Sequence, residues 1–170
     1  ADLNAMAVFL KSMDGQAVEA VATKVAAVGP RSMPALPADE AGKATAALLT
    51  SASPDDMPLG ARLYLDNCAA CHFVSGKGAA EIFPELQGNA MVLGRNASPL
   101  LSVILNGASS PATERRPMEL VMQGYADRLN DEEVAELATF LRTGWGNQAS
   151  KVSASEVAQQ RKKLLAGDVH

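Results

Sequence analysis

The stretch CAACHF, Cys68 to Phe73, holds both cysteines of the chain and one of its two histidines. Thiolate sulfur and imidazole nitrogen bind transition metals, and three chemistries use such a stretch. Two cysteines separated by two residues can cycle as a dithiol and disulfide. That motif sits beside a strand–helix unit, and none is visible here. Zinc takes four ligands, yet no further cysteine exists and the spare histidine, His170, is the last residue. The third chemistry is covalent haem attachment. The thiols form thioethers with the two vinyl groups, and the histidine that follows is held under the iron as an axial ligand. The order Cys68, Cys71, His72 favours this reading and implies one covalent haem c.

An iron held by His72 has a second axial position. His170 is a poor candidate for it, because chain ends fray. Methionine is the other common partner, and it raises the reduction potential. The chain has seven methionines. Met6, Met13 and Met33 lie in or near the upstream segment, and Met57 precedes the helix that leads into the cysteines. Met91 follows His72 too closely to cross the haem. Met118 and Met122 sit in a long loop that returns before a helix, and such a loop can close over the second face.

The elements that must position these groups read as helices. Gly60, Leu63 and Tyr64 run as a helix into the cysteines. Ser98-Pro99 gives an N-cap followed by proline at the first helical position, and the helix ends at Asn106-Gly107. Asn130 with Glu133 forms a capping-box pattern that opens a helix to about Thr143. Ser153 with Glu156 does the same for a last helix reaching about Leu165. A short helix is expected from about Glu40 to Thr50. Upstream, Leu3, Met6, Ala7 and Leu10 have helical spacing, and Gln16 to Val28 is a second helical stretch. No alternating strand pattern appears, so the expected class is all-α.

Several stretches together resemble a class I cytochrome c domain. They are GARLYLDNCAACH, FPELQGN, SPLLSVILNG, MQGYADRLNDEEVAELATFLRTGWGN and KVSASEVAQQRKKL, covering roughly residues 58 to 165. More specifically, they are similar to the C-terminal haem domain of multihaem cytochrome subunits of membrane-bound dehydrogenases that act on alcohol, gluconate, sorbitol or glucose. The resemblance implies that Met122 is the axial ligand, with Gly124, Tyr125, Leu129, Asp131 and Val134 in the family register. It departs at Gln123, where the family carries proline, which leaves a backbone N–H and a freer loop. It also implies that the Pro84 carbonyl accepts the Nδ1–H bond of His72. Gly60 and Tyr64 then lie where two helices cross, opposite Leu137, Phe140 or Leu141. Trp145 is expected near the haem edge, its indole N–H within reach of a propionate. Arg95, Arg115 and Arg116 are expected on the solvated surface, with propionates or a partner as their other role.

The resemblance also implies an organisation. Residues 1–28 would be the helical remnant of an upstream haem domain, 29–53 a linker, 54–146 the cytochrome c domain and 147–170 a helical tail. It implies an electron-transfer module rather than an enzyme, working outside the cytoplasm in the periplasm. Its partners would be a dehydrogenase catalytic subunit or upstream haem domain on one side and a quinone or oxidase chain on the other, in a complex that can be membrane-associated. The first helix and the tail are expected docking surfaces. The rival reading is a five-coordinate haem that acts on peroxide or senses a small gas, should the methionine loop open. A net charge of −4 disfavours nucleic acid, since phosphate binding needs clustered lysine and arginine. No apolar run approaches the roughly 20 residues of a membrane span.

Overall fold

The computed structural model describes residues 40–51, 53, 55–114 and 116–167. The chain divides into two units, Ala1–Pro37 and Ala38–His170, and all the described residues belong to the second. The helices expected within residues 1–28 lie outside the described residues, as do Met6, Met13, Met33, Arg115 and His170.

Seven α-helices and one short sheet make up the described residues. Helix α1, Glu40–Ser51, is alanine-rich, with high intrinsic helix propensity. Pro58 caps α2, Leu59–Asn67, whose buried face is Gly60, Ala61, Leu63 and Tyr64. The short α3, Ala69–His72, carries the second cysteine and the histidine. Helix α4, Ala90–Leu93, is capped by the Asn89 side chain, which accepts from the N–H groups of Met91 and Val92.

Helix α5, Ser98–Asn106, buries Leu100, Leu101, Ile104 and Leu105. It begins one residue earlier than the sequence implies. Ser98 is inside the helix, and the Asn96 Oδ1 takes its N–H at 2.9 Å. The two expected capping boxes form as read. Asn130 with Glu133 opens α6, Asp131–Thr143, and Ser153 with Glu156 opens α7, Ala154–Leu165. Each box satisfies two N–H groups that a helix start otherwise leaves unpaired. A 3₁₀ turn, Gly144–Gly146, follows α6.

The all-α expectation needs one correction. Strand β1, Gly107–Ser110, pairs antiparallel with β2, Leu120–Gln123, placing Ala108 opposite Met122 and Gly107 opposite Gln123. Met122 therefore sits on a strand rather than in an open loop. GASS and LVMQ carry no alternation of apolar and polar residues, so no strand pattern was there to read. The pairing is imposed from outside: β1 starts at Gly107, which is also the C-cap of α5.

The core is built where α2 crosses α6. A Cβ on Gly60 would lie 2.2 Å from the Glu136 carbonyl oxygen and 2.9 Å from the Phe140 Cβ. The backbones can meet this closely only without a side chain there. The expected crossing at Gly60 and Tyr64 is present, with Glu136 and Phe140 opposite Gly60. Beside it Tyr64, Phe140 and Trp145 form an aromatic triangle, with ring centroids 4.9 to 5.5 Å apart. Two of the three contacts are edge-on, the arrangement that ring quadrupoles favour. Arg142, fully buried, donates to the carbonyls of Val92, Gly94 and Ser150 at 2.7 to 2.9 Å. It thereby fixes α4 and the approach to α7 against α6. No helix among the described residues is long and apolar enough to cross a membrane.

The crossing gives a direct test. Gly60→Ala must push α2 from α6, and it is expected to lower the unfolding free energy by about 1–3 kcal/mol. Denaturant melts of the two proteins measure this as a lower midpoint at unchanged slope.

Candidate metal centre

The two cysteines and the histidine share one turn. Cys68 ends α2 and caps α3, and its carbonyl accepts the N–H groups of Cys71 at 3.1 Å and His72 at 3.0 Å. Neither cysteine is in a disulfide; Cys68 is buried and Cys71 exposed. Burial, and secondarily the neighbouring Cys71, push the Cys68 thiol up to about 12. A redox dithiol needs a thiol that ionises readily, and Cys68 is not that thiol. Among the described residues no three histidine, cysteine or carboxylate side chains gather to hold a metal ion. Two unbridged thiols on one turn with an imidazole beside them do fit covalent haem c.

His72 is buried, 7% exposed, and its Nδ1 lies 2.9 Å from the Pro84 carbonyl oxygen. A carbonyl can only accept, so Nδ1 carries the proton and Nε2 keeps the lone pair that a metal needs. Burial pulls the His72 pKa down and the Pro84 bond opposes it. The net effect favours the neutral ring, the ligating form.

The loop between them is held in shape at several points. Gly78 N–H donates to the His72 carbonyl at 3.1 Å, and Leu86 N–H to the Gly76 carbonyl at 2.7 Å. Gly78 has φ +55°, and a Cβ there would lie 2.2 Å from the Phe83 oxygen and 2.8 Å from that of Pro84. Only glycine allows the Pro84 carbonyl this close. Phe73, directly after His72, has φ +57°, a conformation of some cost for a bulky residue. The Tyr64 hydroxyl donates to its carbonyl at 2.6 Å and holds it there. Burial, with Cys68 as the smaller cause, raises the Tyr64 pKa well above its usual range, so the donor proton stays in place.

Trp145 departs from expectation. It is fully buried, and its indole N–H donates to the Val74 carbonyl at 2.9 Å. The expected reach to a propionate is thus replaced by a bond to the backbone two residues beyond His72. Its φ of +52° is held by its own N–H, which donates to the Thr45 hydroxyl of α1 at 2.8 Å. The ring faces Gly76, whose absent Cβ would lie 2.7 Å from it. The indole is a wedge under the histidine loop.

Met122 is half-buried on β2 and packs at the margin of the core. Met118 is 61% exposed and outside the core. Tyr125 is buried, and its hydroxyl donates to the Asn67 carbonyl at 2.6 Å. Asn67 immediately precedes Cys68, so this bond ties the Met122 segment to the cysteine motif. Gln123, which stands where proline was expected, donates from Nε2 to the Tyr125 hydroxyl at 3.2 Å. Arg95 is exposed. Arg116 is half-buried and donates to the Pro111 carbonyl at 2.8 Å.

Sequence reasoning missed Asn147 and Gln87. Asn147 donates to the carbonyls of Leu86 and Leu141, and its Oδ1 accepts the Gly88 N–H at 2.8 Å. Gln87 donates to the Trp145 carbonyl at 2.9 Å. Together they bind the end of α6 to the loop that carries Pro84. The only signal was the run Trp145-Gly146-Asn147 after a helix end, which says nothing of what Asn147 touches.

The cytochrome c family model matches residues 58–145. The cytochrome c subunit of a quinone alcohol dehydrogenase from Gluconobacter oxydans is 36% identical over 137 residues, 77% of this chain and 28% of that protein. The gluconate 2-dehydrogenase cytochrome c subunit of Pantoea cypripedii is 36% identical over 113 residues, 64% of this chain and 25% of that protein. Cytochrome c-552 of Thermus thermophilus is 35% identical over 114 residues, 63% of this chain and 84% of that protein. The chain spans under a third of the two dehydrogenase subunits.

The wedge role of Trp145 can be separated from its bulk. Trp145→Phe keeps an aromatic ring and leaves the Val74 carbonyl without its donor. It is expected to destabilise the haem-loaded protein by about 1–3 kcal/mol, read as a lower midpoint in a denaturant melt, with the haem still covalently attached by intact mass.

Proposed function

The chain belongs to the cytochrome c family, and we propose on that premise that it holds one covalent haem c in a class I domain and relays single electrons. When bound, the haem supplies a one-electron ferric–ferrous couple. Cys68 and Cys71 tether it, His72 presents Nε2 from one side and Met122 presents its sulfur from the other. The observation that carries the reading is the His72 Nδ1 to Pro84 bond of 2.9 Å. It dedicates the other ring nitrogen of a buried histidine to accepting a metal, directly beside two unbridged thiols.

With His72 and Met122 both holding the iron, no coordination site would be left for a substrate. The rigid seating of His72 suits electron transfer, because little has to rearrange when the charge changes. A methionine partner raises the reduction potential relative to a second histidine. The chain itself would make and break no substrate bond.

The relatives' names support a dehydrogenase partner; the rest of the path is part of the same proposal. The electron source is a dehydrogenase catalytic subunit, directly or through an upstream haem domain. The acceptor is a quinone or an oxidase chain, within a periplasmic complex at the membrane. The proposed organisation places the relay in residues 54–146, joined by the segment 29–53 to a partial unit at 1–28 and followed by the tail 147–170.

The ligand choice is tested by two substitutions in the haem-loaded protein. Met122→Ala is expected to abolish the sulfur-to-iron charge-transfer band, turn the ferric iron high-spin, lower the potential and admit carbon monoxide rapidly when reduced. Met118→Ala is expected to change none of these. An unchanged spectrum in the first variant, or rapid carbon monoxide binding by the unmodified protein, would contradict the assignment.

A further inference from the structure

The helix α7 is bonded into the haem-side architecture rather than free for a partner alone. Val157, Gln160, Arg161 and Leu164 have the spacing of one helical face. Val157 is fully buried. The Gln160 Nε2 donates to the Ser102 hydroxyl of α5 at 2.9 Å. Arg161 reaches elsewhere, to the connection between β2 and α6. Its Nη1 donates to the Ala126 carbonyl at 2.6 Å and its Nη2 to the Leu129 carbonyl at 3.0 Å. Its Nε donates to the Asp131 Oδ1 at 2.9 Å. One planar guanidinium therefore clamps the connection at its start, near its end and at the first residue of α6.

The same segment is gripped on other sides. The N–H groups of Tyr125 and Ala126 donate to the carbonyls of Ile104 and Leu105, both at 3.0 Å. The Tyr125 hydroxyl is bonded to Asn67. Met122 is paired with Ala108 across the sheet. These contacts restrain the backbone from Met122 to Asp131 without a proline after the methionine. Arg161 is the one of them that comes from the tail, and it alone spans the whole of residues 126–131. Its bond to Asp131 is charge-assisted and half-shielded, with side chains 24% and 32% exposed, so water weakens it less than a surface pair. A lysine cannot reproduce the fork, because its ammonium is a single point charge.

We propose that Arg161 is a positioning residue for the Met122 sulfur, and that α7 is a latch that keeps the Met122 segment closed over the metal site. The proposal rests on the reading of Met122 as the axial ligand. Where residues 122 to 131 open as one unit the clamp breaks with them, so its loss shifts the balance towards the open form. Carbon monoxide reports that balance, since it binds reduced iron only when the sulfur has left.

The test uses the full haem-loaded chain. Arg161→Met keeps the apolar stem and removes all three bonds. It is expected to speed carbon monoxide binding about tenfold or more, and to make the sulfur-to-iron band fade at a temperature below that of global unfolding. Gln160→Ala, on the same helix face but bonded to α5, is the control for stability. It is expected to lower the melting point while leaving the carbon monoxide rate within about twofold of the parent. Should Arg161→Met fail to accumulate folded, Arg161→Lys replaces it and is expected to show the same two changes at smaller size. If the Arg161 variants lose stability as the control does, yet keep the parent's carbon monoxide rate and band, Arg161 only packs the tail and the proposal is wrong. If the parent's band survives Met122→Ala, the ligand reading fails and this proposal falls with it.

Discussion

A buried neutral imidazole has two nitrogens and one proton to divide between them. Here the Pro84 carbonyl, 2.9 Å from Nδ1, decides the division. Everything around it serves to bring that carbonyl there and keep it there. The loop 73–87 folds back on itself through the Gly76 and His72 carbonyls. It passes so close to itself at Gly78 that no side chain fits. Beneath it Trp145 fills the space and bonds Val74, while Asn147 and Gln87 fasten the loop to the end of α6. The α2–α6 crossing at Gly60 brings Tyr64 up to support Phe73. The core is in this sense the outer support of one hydrogen bond, which is what the proposed ligand role of His72 requires.

The Met122 segment is organised differently. Met122 belongs to a four-residue strand, and its neighbours in sequence are tied to three separate elements. Tyr125 reaches the residue before Cys68, the backbone of 125–126 reaches the end of α5, and Arg161 arrives from α7. A histidine on a helical turn needs one well-placed acceptor. A methionine on an extended segment needs its backbone restrained along its length. The difference explains why the lost proline at position 123 need not loosen the segment. Gln123 adds a bond to the Tyr125 hydroxyl in its place.

How much of this was legible depended on the range of the interaction. The CAACH motif and the capping boxes at Asn130 and Ser153 are written within a few residues, and the crossing at Gly60 was implied by the family resemblance. All of them appear in the structure. The β1–β2 pair was not legible, because its strands carry no alternation and take their register from where α5 ends. Nor was the indole bond of Trp145, since a tryptophan after a helix gives no hint of which carbonyl it will meet. Nothing in the sequence singles out Arg142 or Arg161. In the fold both are braces that join distant carbonyls, Arg142 fully buried and Arg161 half-buried. Such contacts are products of tertiary packing and leave no local trace.

The central claim is that His72 and Met122 face each other across one haem. The most direct measurement is the proton NMR spectrum of the reduced haem-loaded protein. A methionine bound to low-spin ferrous iron sits in the ring current of the macrocycle, which moves its ε-methyl resonance far upfield. The account predicts one such resonance, assigned through its side-chain couplings to Met122. A spectrum with no such methyl signal, or one whose signal belongs to Met118, would contradict it.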